Sequence, residues 1–220
     1  MTADEAMRIQ RKLGAVPDGD FGRASYAALF STLGARDKAP ALGLGAAKHF
    51  PAYRIDTPLR IAHWMAQFGV ESKGFTDFDE DLSYSAERMC EVWPGRFPTL
   101  ASALPYARNP EALANKTYGG RMGNTQPGDG WRYRGRPALT GRDNYTACAA
   151  RTGLDLVNNP DLASDPVNFV LIGCDYWGQH GINPFADADD IVTITERING
   201  ARIGLADRRA ALAKAKGLLL

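Results

Sequence analysis

"DTPLRIAHWMAQFGVES", residues 56–72, is the stretch on which the fold turns. Thr57 is a preferred residue for capping a helix N-terminus, and Pro58 fits the first helical position, where its missing N–H costs nothing. Behind this start, Leu59, Ile61, Ala62, Trp64, Met65, Ala66, Phe68 and Val70 fall around nearly the whole helix circumference. A helix apolar on most sides is buried on most sides, so the segment reads as the central helix of a packed bundle. The same periodicity predicts further helices over 4–14, 22–34, 85–93, 99–107, 110–116, 143–152, 165–180, 187–198 and 204–216. The fold class is therefore mainly α. "YGGRMGNTQPGDGWRYRGRPALTG", residues 118–141, is the exception: a long glycine-rich loop with room for a short hairpin, of the kind that carries function inside compact domains.

The 220 residues, 45% of them apolar, allow one sizeable core and a small appended module. Lysine and arginine number 26 against 25 acids, a balance that gives no reason to expect a nucleic-acid partner. Cys90, Cys148 and Cys174 are odd in number and widely spaced, which fits free thiols rather than a zinc site or a disulfide framework. The N-terminal "MTADEAMRIQRKLGA" is amphipathic and lacks the apolar run of a secretory signal, so synthesis in the cytosol is expected.

At the N-terminus, Ala6, Met7, Ile9 and Leu13 share one helical face, and Tyr26, Leu29, Phe30 and Leu33 another. "VPDGDFG", residues 16–22, turns tightly between them. The expected domains are a helical hairpin module at 1–36, a linker at 37–41, "DKAPA", and a main domain at 42–220. The "DGD" triplet lacks the remaining ligands of a calcium loop.

Glu71 ends the buried helix, where the negative end of the helix dipole and apolar neighbours favour a protonated carboxyl, opposed by Lys73. Nine positions on, "DFDEDL" offers Asp79, Glu80 and Asp81 in a polar turn that favours an ionised carboxylate. Two such carboxyls suit glycosidic cleavage with inversion, which needs an acid and a base roughly 6.5 to 9.5 Å apart with water between base and sugar. An acidic turn after a helix is also an ordinary solvated surface.

The run "RIAHWMAQFGVESKGFTDFDEDLSYS" resembles the "AHFxAQxxHESxGFxxxEENLxYS" signature of glycoside hydrolase family 19, in the chitinase-like branch used by bacteriophage endolysins. Three later blocks are similar to that branch in the same order: residues 106–136, "TGRDNY" and "ERINGARIGLADR". The resemblance spans about residues 42–216 and implies a lysozyme-like helical domain. It implies Glu71 as general acid and Glu80 as general base, with Thr140 helping to hold the attacking water and Asn144 contacting the sugar. Asn199 matches a cleft asparagine, with a helix C-cap before Gly200 as its alternative reading. Arg208 matches an arginine near the acidic centre, where it would hold the base in its charged form; a solvated helix face is the other reading. The hairpin in turn resembles a shortened peptidoglycan-binding module, through Ile9, Gln10, Leu13, Gly14, Asp18, Gly19, Phe21 and Gly22.

The chain departs from the pattern at three places. Val70 stands where the histidine before the acid is usual, "RGRPALTG" at 134–141 is two residues short, and Ala201 replaces a second glycine and must avoid positive φ. Arg132, Arg134, Arg136 and Arg142 surround Trp131 and Tyr133, a combination suited to sugars bearing carboxylates or to a packed loop. The expectation is an endolysin cutting the β-1,4 glycan strands of peptidoglycan. It would need no metal or cofactor and act as a monomer on the wall after release from the host cytoplasm by another factor. A chitinase and a non-catalytic wall-binding protein are the alternatives.

Overall fold

The computed structural model describes residues 1–135 and 139–220. Arg136 and the centre of the shortened "RGRPALTG" loop lie outside them. The described residues are mainly α, with thirteen α-helices and no strand among them, consistent with the lysozyme-like helical class. In chain order the helices are α1 Ala3–Leu13, α2 Arg23–Leu33, α3 Ala39–His49, α4 Pro58–Glu71, α5 Ala86–Val92, α6 Leu100–Ala103, α7 Pro110–Tyr118, α8 Asp129–Arg132, α9 Arg142–Thr152, α10 Pro166–Gln179, α11 Asn183–Asp187, α12 Ile191–Asn199 and α13 Leu205–Leu219. The chain forms two compact units, Met1–Phe78 with Ala163–Leu220, and Asp79–Leu162.

The first unit is built on α4. Thr57 caps it, its side chain accepting from the Arg60 N–H at 3.2 Å, and Pro58 opens its first turn. Residues Ile61 through Phe68 of α4 are all buried, as a helix apolar on most sides requires. Trp64 centres an aromatic cluster with Phe30, Phe50, Phe68, Phe75 and Phe169. Phe30 comes from α2, so the N-terminal hairpin contributes to the same core as α4. Residues 36–41 carry no extended segment: a 3-10 turn, Arg36–Lys38, runs directly into α3, which packs on α2 and α10.

The hairpin's own turn is held by Gln10. Its buried amide donates to Asp18 Oδ1 at 2.7 Å, to the Asp20 carbonyl at 2.9 Å and to Ser25 Oγ at 2.9 Å, while its Oε1 accepts from the Gly19 N–H at 3.0 Å. Asp18 and Gly19 of the motif thus build the turn. Among the described residues no group of acids, histidines and cysteines is arranged to hold a metal ion.

The second unit has a small core of its own, Leu82, Ala86, Met89, Phe97, Ala103, Leu113 and Ala114, with Tyr84, Trp93, Tyr106, Tyr118 and Trp131 packed around it. Over its described residues the glycine-rich segment folds as a turn and the short helix α8, and the stretch with room for a hairpin falls partly outside them. Asn124 fastens it at both ends: its amide donates to the Tyr118 carbonyl at 2.9 Å and its Oδ1 accepts from the Arg142 N–H at 2.9 Å. Gly141, at φ +87°, sits where a Cβ would lie 2.4 Å from that of Met122. No helix of the described residues is long and apolar enough to cross a membrane.

Candidate active site

Each unit presents one of the two sequence-predicted carboxylates, Glu71 in the first and Glu80 in the second. In the first unit, Glu71 is the last residue of α4, and its carboxylate pairs with the Arg208 guanidinium from α13. The Arg208 cation therefore joins the apolar neighbours expected at this helix end. The physical reason is that α13 packs lengthwise on α4 and delivers a cation to its end, which no local pattern around Glu71 encodes. Lys73 turns away to Asp77 at 2.8 Å.

Arg208 is only 3% exposed, which rules out the solvated reading. It serves the expected acid and not the expected base. It also donates to the carbonyl and side-chain oxygen of Gln67, one helical turn before Glu71. Gln67 is itself anchored by donating to Thr195 Oγ1 at 3.2 Å. Thr195, Gln67, Arg208 and Glu71 form one polar chain through an otherwise apolar packing of α12, α4 and α13. Sequence reasoning missed Gln67, since a glutamine inside an apolar run carries no signal of its partner. Arg209, one position along, is exposed as expected.

Asn199 ends α12 ahead of Gly200 at φ +72°. Its amide donates to the Ile203 carbonyl at 2.9 Å, and its Oδ1 accepts from the Ala201 N–H at 3.2 Å. Those bonds hold the α12–α13 turn, in line with the capping reading, and Ala201 keeps a negative φ.

In the second unit, Glu80 is half-buried and is held from one side by Tyr118, whose hydroxyl donates to Oε1 at 2.6 Å. Oε2 is buried and, among the described residues, makes no hydrogen bond within ordinary geometric limits. It faces Gly135: a Cβ there would sit 2.7 Å from Oε2 and 3.0 Å from Thr140 Oγ1. Glycine at 135 is thus what lets the carboxyl and the threonine hydroxyl share one spot. Burial raises the Glu80 pKa above the ordinary glutamate value, while the Tyr118 hydroxyl, the Gly135 backbone and the Arg134 charge each pull it back. The expectation of a freely solvated, readily ionised turn is corrected to that extent. Asp79 and Asp81 are the exposed acids of the turn; Asp79 lies 3.4 Å from Arg134, and Asp81 accepts from the Ser83 N–H at 2.9 Å.

Arg134 stacks its guanidinium 3.9 Å above the Trp131 ring. Asn144 spends its amide on the Thr140 carbonyl at 2.7 Å, so it orients the threonine from within the unit. Tyr133 is 2% exposed, and its hydroxyl donates to the Val157 carbonyl at 2.8 Å. Its ring is therefore core and not a sugar platform, because α8 folds it inward against Tyr145. Tyr118 and Gly135 were not singled out from sequence. The available signal was the Gly119–Gly120 pair that stops α7 with Tyr118 as its last residue.

A carboxylate with one oxygen fixed, the other buried and without a hydrogen-bond partner near a hydroxyl, and a raised pKa has the features of a proton acceptor. No family model matches the chain. A protein of Haemophilus influenzae (strain ATCC 51907 / DSM 11121 / KW20 / Rd), named "Glycosyl hydrolase family 19 domain-containing protein", is 37% identical over 154 residues, covering 68% of this chain and 75% of that protein. With that extent of identity added to the four ordered motif blocks, the chain belongs to glycosyl hydrolase family 19.

Proposed function

We propose that this family 19 glycoside hydrolase is an endolysin that cleaves the β-1,4 glycan strands of peptidoglycan with inversion. The observation that carries the hydrolytic reading is the setting of Glu80, with Oε1 held by Tyr118 and Oε2 unbonded where Gly135 leaves room between it and Thr140 Oγ1. In this reading Glu80 is the general base that takes a proton from the attacking water, and Thr140 orients that water. Glu71 is the general acid that protonates the leaving oxygen, with Arg208 fixing its direction. A base of raised pKa is the stronger base once ionised, which supports this role at neutral pH.

Peptidoglycan is favoured over chitin by the cations and aromatic rings of the second unit, since wall glycan carries carboxylates and chitin does not. The hairpin's likeness to wall-binding modules supports the same substrate, with Val16, 75% exposed at its turn, as a contact point. The protein would be made in the host cytoplasm, reach the wall after release by another factor, and act there as a monomer. Reducing-end release from purified sacculi and from chitin oligomers tests the reading. Release from sacculi is expected; release from chitin oligomers alone, or wall binding with no release, would replace it.

A further inference from the structure

Beside Tyr118, the second unit carries a hollow of about 600 Å³ lined by Trp93, Gly95, Arg96 and Lys116. Trp93 is half-buried, packed on Tyr84 with ring centres 5.0 Å apart, and its carbonyl accepts from the Arg96 and Phe97 N–H groups at 2.9 and 2.8 Å. Those bonds fix the turn that brings Arg96 back beside the indole. Lys116 stands on α7 two residues before Tyr118, with its ammonium 6.0 Å from the Tyr106 ring. Neither Arg96 nor Lys116 forms an ion pair among the described residues. The lining thus holds two cations and an aromatic face and no carboxylate.

The hollow lies in the same unit as Glu80, and its Lys116 stands on α7 two residues before Tyr118. The Tyr118 hydroxyl that bonds Glu80 is raised in pKa by burial and by the Glu80 carboxyl, and it feels the opposing charge of Arg96. An uncharged sugar would use the indole and leave both cations idle. A sugar bearing a carboxylate would use all three.

We propose that this hollow is a subsite for the carboxylate-bearing amino sugar of the glycan strand, with Trp93 against the pyranose face and Arg96 and Lys116 on the lactyl carboxylate. The assignment rests on the wall-glycan reading above and gives it a recognition element. The test is calorimetric titration in a Glu71→Gln background, which leaves the hollow intact. The ligands are a tetrasaccharide alternating N-acetylglucosamine and N-acetylmuramic acid, and chitotetraose. The carboxylate-bearing sugar is expected to bind about 10- to 100-fold more tightly. Arg96→Gln with Lys116→Gln should reduce that preference to near unity, and added salt should weaken it in the parent. Both cations are at the surface, so an unchanged thermal midpoint certifies the fold. Equal affinity for the two sugars, or a preference that survives the double substitution, overturns the subsite. Cleavage by the wild-type enzyme is scored separately: hydrolysis of chitotetraose alone overturns the wall-glycan reading, while the titration still decides the hollow.

Discussion

Glu80 meets two opposing demands: burial discourages its charge, and the general-base role proposed for it requires that charge. Because the general base works ionised, activity falls as pH drops through its raised pKa, so the acid limb of kcat/KM lies above the ordinary glutamate value. Tyr118→Phe removes a donor that stabilises the carboxylate. It should move that limb to still higher pH and lower kcat more than it raises KM, read from a pH–rate profile; an unmoved limb contradicts the positioning role. Glu80→Gln should cost about 100- to 10,000-fold in kcat, the usual range for loss of a general base. The same substitution should stabilise the fold at neutral pH. The folded state holds the Glu80 proton more tightly than the unfolded chain, so wild-type stability declines as pH rises from the ordinary glutamate value through the folded one. Thermal melts of the two proteins across that window should diverge as pH increases. Arg208 sits on the other carboxylate. Arg208→Met leaves Gln67 and Glu71 without their cation and should cost about 2 kcal/mol, below the usual figure for a broken buried pair because Glu71 retains contact with water. Arg209→Met, on the exposed side, should stay within about 0.5 kcal/mol.

Helices were legible where one strong pattern dominates. The Thr57–Pro58 start and the apolar circumference of α4 gave its span and its burial, and α10 followed from a similar run. The helix α3 was not legible. "APALGLGAAKH" holds two glycines and a proline, which weaken any helical periodicity. Packing explains why it forms. A Cβ on Gly43 would lie 2.6 Å from the Ala27 backbone nitrogen, and one on Gly45 would lie 3.0 Å from the Val167 carbonyl. The glycines that cost helix propensity let α3 approach α2 and α10 closely. Gly43→Ala should therefore destabilise by about 1–3 kcal/mol through overpacking, although alanine is the better helix former; chemical denaturation measures it, and a stabilised variant contradicts the close approach. The glycine-rich loop was read as having room for a short hairpin, because glycines mark turns without saying what lies between them, and its centre lies outside the described residues. Among the described residues its ends are tied by Asn124, one side chain bridging the Tyr118 and Arg142 backbone, and such a bridge has no local signature.

At the scale of the molecule, the motif blocks identified the residues that matter, and the chemistry around them came from distant parts of the chain. Glu71 and Arg208 are 137 positions apart, and Glu80 and Tyr118 are 38. Sequence therefore located both carboxylates and misjudged the setting of each, because each setting is fixed by a partner from another helix. The proposed reaction gives one role to each of these carboxylates. Mass analysis of the muropeptides released from purified sacculi by the wild type, Glu71→Gln and Glu80→Gln tests this most directly. The account predicts new reducing ends within the glycan strands from the wild type and at least about 100-fold less from each variant. Undiminished release by either variant, or products cut only in the peptide, would contradict it.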